Sequence, residues 1–121
     1  MENESVISSV GRYAPDFELP GTDGAVHHLA HYLNTHAAIA VVVMCNHCPI
    51  VNAYLDRLKR LQSDCEGQRV TLIGINANDD QQVPEDGFEQ MKQFVRDQAL
   101  NFPYLRDVTQ DVCQTFGATR T

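Results

Sequence analysis

Cys45 and Cys48 are two residues apart in the stretch CNHCP, at the end of an apolar run that begins at Ile39. Two sulfurs at this spacing can close a small ring with one turn of helix, so the pair can cycle between dithiol and disulfide without unfolding its surroundings. A helix start presents unpaired N–H groups and the positive end of the helix dipole, and a cysteine held there has its thiolate stabilised. His47 lies between the two thiols; protonated, it favours the thiolate form, stabilises the reduced state and makes the disulfide a stronger oxidant. Pro49 suits a first helical turn, where its missing N–H leaves nothing unpaired. The candidate catalytic residues are therefore Cys45 and Cys48, with His47 and Pro49 as the residues that tune their potential.

The elements that must position this pair can be read from hydrophobic period. Ile39–Pro49 carries a mostly β-branched run, long enough for one buried strand and too short to span a membrane. Val51, Tyr54, Leu55, Leu58 and Leu61 recur at three- and four-residue intervals, which predicts an amphipathic helix over Ile50–Ser63 with Gly67 as its stop. Val70–Asn76 reads as a second, largely apolar strand of a parallel sheet, completing a right-handed βαβ unit. Upstream, Ala14–Pro20 and Ala25–Leu29 flank the turn sequence GTDG and predict a small hairpin, followed by a short helix over Leu29–Leu33 and a polar break at Asn34–His36. Downstream, Asn78–Asp86 reads as a solvated loop, and Phe88, Met91, Phe94, Val95 and Leu100 mark a helix over about residues 85–99. Phe102–Leu105 is a strand fragment or a packed turn, and Val108–Phe116 a last helix capped by Gly117.

A chain of 121 residues, 43% hydrophobic and 21% charged, has material for one globular domain, placed at 13–121 behind a flexible N-terminus at 1–12. The net charge of -7 argues against nucleic-acid binding and against an anionic membrane surface. MENESVISSV carries acids where a signal peptide needs a basic start, and no apolar segment follows, so a cytoplasmic address is expected. Cys65 and Cys113 read as packing residues. A zinc site could be assembled from Cys45, His47 and Cys48 with one of His27, His28, His31 or His36, but no second Cys-x-x-Cys or spaced His pair supports it, so no metal and no cofactor is expected. His27 and His28 point to opposite faces of a strand and read as surface residues. Asp79, Asp80, Glu85 and Asp86 lack a calcium-loop pattern, and Asp16 and Asp107 read as turn or cap residues.

APDFELPGTDG at 14–24, the strand-then-CNHCP junction and FPYLRDVTQDVCQTFGATRT at 102–121 together resemble the peroxiredoxin-like branch of the thioredoxin-fold superfamily, the alkyl hydroperoxide reductase/thiol-specific antioxidant group. The resemblance implies an α/β fold, a thioredoxin-like three-layer sandwich with an N-terminal β-hairpin extension. Dithiol members use the first cysteine, here Cys45, as the exposed nucleophile and the second, Cys48, to resolve the mixed disulfide. Aligned with the peroxiredoxin pattern Pro-x-x-x-Thr-x-x-Cys, Cys48 takes the peroxidatic position, Cys45 the threonine position and Val41 the proline position. Family members continue beyond the Gly-Ala-x-x-Thr segment into a cis-proline, two antiparallel strands and a helix, so a chain ending at Thr121 is expected to lack the C-terminal ββα part. The edge of the strand over residues 39–44 is then open to self-association. The function implied is that of a thiol-disulfide oxidoreductase or thiol peroxidase-like antioxidant protein, acting on a protein dithiol/disulfide or a hydroperoxide. The alternatives are a redox-inactive binding module on the same fold and a small zinc-binding protein.

Overall fold

The computed structural model of the chain describes residues 11, 13–46, 48–78 and 84–118. The N-terminal stretch expected to be flexible therefore lies, apart from Gly11, outside the described residues. β1 (Glu18–Pro20) and β2 (Val26–His28) form the expected antiparallel hairpin, turned by Gly21–Gly24. Then come α1 (Leu29–Thr35), β3 (Ala38–Val43), α2 (Pro49–Cys65), β4 (Val70–Asn76), α3 (Phe88–Gln98), β5 (Tyr104–Arg106) and α4 (Asp111–Thr115). Short 3-10 turns at Glu66–Gln68 and Pro84–Asp86 precede β4 and α3.

β3, β4 and β5 make a three-stranded parallel sheet in that order, with Val42 opposite Gly74 and Ile75 opposite Leu105. Alternation along the strands sorts their side chains between two cores. On one face Met44, Leu72 and Tyr104 pack with Val51 and Leu55 of α2 and with Met91 and Phe94 of α3. On the other, Ile73, Ile75 and Leu105 meet Phe17, Leu19, Leu29 and Cys113, with Ile39, Val41 and Val43 packed against them. The sheet thus has helices α2 and α3 on one side, and the hairpin, α1 and α4 on the other. The hairpin reaches β5 through an isolated bridge between Gly21 and Leu105 and a hydrogen bond from Thr22 N to Tyr104 O. β3 stands at the opposite edge and, among the described residues, has only β4 as a strand neighbour.

Gly74 is a packing requirement of the central strand. A Cβ there would lie 2.7 Å from Met44 Sδ and 3.2 Å from ring atoms of both Phe102 and Tyr104, all three in buried side chains. Gly74→Ala is therefore expected to destabilise the fold by about 1–3 kcal/mol through overpacking. An unchanged urea midpoint would refute this.

Several boundaries differ from the sequence reading. α2 begins at Pro49 and runs to Cys65, and the left-handed residue before β4 is Arg69, with φ of 60°, rather than the expected stop Gly67. α1 continues through Asn34 to Thr35, whose hydroxyl donates back to the carbonyls of His31 and Tyr32 and satisfies the last turn. The segment at Phe102–Leu105 resolves into a true strand over Tyr104–Arg106, because β4 offers it a parallel partner. α4 is shorter than expected and starts at Asp111. The Asp107 carboxylate accepts the Cys113 N–H at 2.9 Å, as a cap would, and Gly117 closes the end at φ of 83°.

Candidate active site

β3 delivers the cysteines. Its ladder with β4 continues one residue past the strand, where Met44 N donates to Ile75 O at 2.9 Å, and the chain then turns into α2. Cys48 is the N-cap of this 17-residue helix, with extended backbone (φ −65°, ψ 116°), and its carbonyl accepts the first helical hydrogen bond from Asn52 N at 3.0 Å. Pro49 opens the helix and offers no N–H, so the first-turn donors beside the Cys48 position are those of Ile50 and Val51. The exposure differs from that expected of the pair. Cys45, expected to be the exposed nucleophile, is only 3% exposed, whereas Cys48 is partly exposed. His47 falls outside the described residues.

Behind Cys45 lies a polar cluster that the sequence reading missed. Asp86, assigned there to a solvated loop, has no exposed surface. Its Oδ1 accepts the backbone N–H of Asn46 at 2.6 Å and Asn76 Nδ2 at 3.2 Å, and its Oδ2 accepts Asn78 Nδ2 at 2.8 Å. Buried Arg106 donates from Nη1 to the Asp86 carbonyl at 2.9 Å. The Tyr104 hydroxyl donates to Asn46 Oδ1 at 2.8 Å and accepts from Asn76 Nδ2 at 3.1 Å. Burial, together with the charges of Asp86 and Cys45 and against the Asn76 hydrogen bond and Arg106, holds the Tyr104 phenol well above the usual tyrosine range. A buried carboxylate is costly unless hydrogen-bonded, and donors from two segments, the Asn46 loop and the end of β4 at Asn76 and Asn78, meet that demand here. The one sequence sign was the placing of polar Asn76 at the end of an otherwise apolar strand.

The remaining candidates lie elsewhere. His27, read as a surface residue, is largely buried on its side chain: Nε2 donates to Asp23 at 2.9 Å, and the Tyr32 hydroxyl lies 2.7 Å from Nδ1. Burial opposes the Asp23 carboxylate, but the hydrogen bonds from His27 and the Ala25 N–H outweigh it and hold Asp23 below the usual range. His27, His28, His31 and His36 line one cavity of about 390 Å³ with Tyr32, and neither Cys45 nor Cys48 is part of its wall. Among the described residues no three side chains are grouped to hold a metal ion. Cys65 ends α2. Cys113 sits in the second core, where burial and then the Asp107 carboxylate push its thiol up to about 12, so it stays protonated and unreactive at neutral pH. No helix is long and apolar enough to cross a membrane among the described residues.

Comparison with known proteins places this architecture. The chain is 37% identical to an uncharacterized conserved protein from Geobacillus kaustophilus, over 89% of this chain and 57% of that one, with a TM-score of 0.84. The fold is also shared with a putative thiol:disulfide interchange protein DsbE from Chlorobium tepidum (17% identity, 88% of this chain and 68% of that one, TM-score 0.72). It is shared again with the peroxidoxin BcpB from Mycobacterium tuberculosis (21% identity, 89% and 65%, TM-score 0.68). A search of curated proteins gives no match. The α/β arrangement is thus thioredoxin-like, and the chain spans little more than half the length of the Geobacillus protein. With residues 10–121 matched by the AhpC/TSA family model, from the hairpin through the cysteine junction to the final helix, the chain belongs to the AhpC/TSA family.

Proposed function

We propose that this chain carries two-electron thiol chemistry at Cys45 and Cys48, as a thiol-disulfide oxidoreductase or thiol peroxidase. The observation that supports it most is the placing of both cysteines at the β3–α2 junction, with Cys48 as the N-cap of α2. With a disulfide substrate, the Cys48 thiolate attacks one sulfur, forms a mixed disulfide and releases the other as a thiolate. Cys45 then loses its proton to solvent and attacks Cys48, forming the Cys45–Cys48 disulfide and freeing the reduced substrate. With a hydroperoxide, the same thiolate takes the terminal oxygen to give a sulfenic acid and an alcohol, and Cys45 displaces water to close the same bond. An external dithiol returns the pair to the reduced state. Family membership and the redox proteins that share the fold support this class of substrate, and the Cys48 exposure favours attack from that sulfur. Self-association is part of the same proposal, supported by the β3 edge position; a monomer at all concentrations in sedimentation equilibrium overturns it.

The test is to expose the reduced chain to oxidised dithiothreitol and, separately, to hydrogen peroxide, and to map its cysteines by peptide mass. The expected product is a Cys45–Cys48 disulfide with Cys113 unmodified. Recovery of both thiols unchanged under either oxidant overturns the proposal.

A further inference from the structure

We infer that Tyr32 is a second reactive site, a phenol activated by His27 and Asp23 to take an acyl group from a small, uncharged carboxylic ester. His27 Nε2 lies 2.9 and 3.0 Å from the two Asp23 carboxylate oxygens, which can only accept, so Nε2 carries the proton. Nδ1 of the neutral ring is then available to accept, and the Tyr32 hydroxyl stands 2.7 Å from it. A nucleophile within hydrogen-bond reach of a base that a third group orients is the arrangement of a Ser-His-Asp triad, here with a phenol in the nucleophile's place. The three side chains come from the hairpin turn, β2 and α1, so the fold rather than one local motif brings them together. The His31 and His36 rings flank Tyr32 at centroid distances of 6.4 and 5.7 Å and restrict the swing of the phenol. Burial, and then the Asp23 charge, hold that phenol above the usual tyrosine range, so it reacts at neutral pH only when a base takes its proton.

Tyr32 is partly exposed and forms part of the wall of the open cavity of about 390 Å³, a volume that admits a small ester. The charge of the surroundings selects the class of donor. Asp23 and Glu18, whose side chains are both more than half exposed at the hairpin, and a net charge of -7 oppose an anionic phosphoryl donor but not a neutral ester. In the reaction, the Tyr32 oxygen attacks the carbonyl carbon as its proton passes to His27 Nδ1, and Asp23 steadies the imidazolium so formed. The ester C–O bond then breaks. The leaving oxygen departs with the electron pair of that bond and takes the proton back from Nδ1, and Tyr32 remains as the O-acyl ester. No group is oxidised or reduced, and neither Cys45 nor Cys48 takes part.

The experiment treats the native chain with p-nitrophenyl acetate at neutral pH and follows acetylation of each tyrosine by peptide mass. Tyr13 and Tyr54, both exposed, are the internal references. Tyr32 is expected to be acetylated at least about tenfold faster than either, although it is the more buried. Equal or slower labelling at Tyr32 overturns the inference. His27→Gln is expected to bring the Tyr32 rate down to that of the references or below, with Tyr54 unchanged, and an unchanged Tyr32 rate overturns the inference. Asp23, the positioning residue, is tested by Asp23→Asn, which separates activation from mere support of the hairpin. The amide can donate to Nε2 and so place the imidazole proton on Nδ1, keeping a hydrogen bond at each nitrogen but removing the base. The Tyr32 rate is then expected to fall about tenfold, and a rate equal to the native one overturns the inference. Should His27→Gln fail to fold, Asp23→Asn, at an exposed side chain, and the native rate ratio decide. The readout is confined to tyrosines, so its outcome is independent of the redox reading of the cysteines.

Discussion

Cys48→Ser is expected to lower the reduction of a disulfide or hydroperoxide substrate on the order of 10³-fold or more, the usual consequence of losing an attacking nucleophile. The argument is one of access and field. Cys48 is partly exposed and stands at the positive end of α2, whereas Cys45 is 3% exposed. Cys45→Ser retains the attacking sulfur and removes the resolving one, so it is expected to stop after the first step. It should accumulate a mixed disulfide with a protein substrate, visible on a non-reducing gel, or a sulfenic acid with peroxide. The opposite pattern, with Cys48→Ser trapping substrate and Cys45→Ser inert, assigns the first attack to Cys45. Full turnover by both variants would falsify the assignment of the pair as the catalytic group.

The second large effect concerns stability. Leu105→Ala is expected to cost about 2–5 kcal/mol, the range for truncating a fully buried leucine whose cavity cannot collapse. Leu105 has no exposed surface, pairs with Ile75 of β4, packs against Phe17, Leu19 and Cys113, and bridges to Gly21 of the hairpin turn. One side chain therefore joins the sheet, the hairpin and α4. Against a typical total stability of about 5–15 kcal/mol, the loss is a large fraction. Urea unfolding should give a lower midpoint at an unchanged slope. A midpoint within error of the native value refutes the central role given to Leu105.

The cysteine pair and its two flanking elements were legible because their signals are local. Val51, Leu55 and Leu58 repeat at helical spacing, and the β-branched run at 39–43 names a strand without help from the rest of the chain. The GTDG turn between two extended pieces named the hairpin, and the family resemblance supplied the layered arrangement. Asp86 was not legible, for a physical reason. In a polar stretch such as Asn78–Asp86, composition favours solvent, and the contact that buries Asp86 is made with Asn46, forty residues away. Arg106, twenty residues further on, is buried by the same long-range demand. His27 was misread likewise: one of two adjacent histidines on a short strand, it reads as a surface residue, but Asp23 and Tyr32 supply partners from the turn and from α1. The relative exposure of Cys45 and Cys48 was beyond sequence for a related reason, since it is set by contacts with residues distant along the chain.

That forty-residue reach has a kinetic consequence. Every strand pairing in the main sheet is parallel and separated by a helical crossover, so no local hairpin can nucleate it. The carboxylate reaches the cysteine loop only after α2 has docked, β4 has paired and the chain has turned at Pro84–Asp86. Until then both sulfurs belong to a solvated polymer and titrate near about 8.5, as in free cysteine. The surroundings of the two thiols are thus settled late in folding, and a refolding chain meets oxidant before the loop that holds them has been fastened to the rest of the fold.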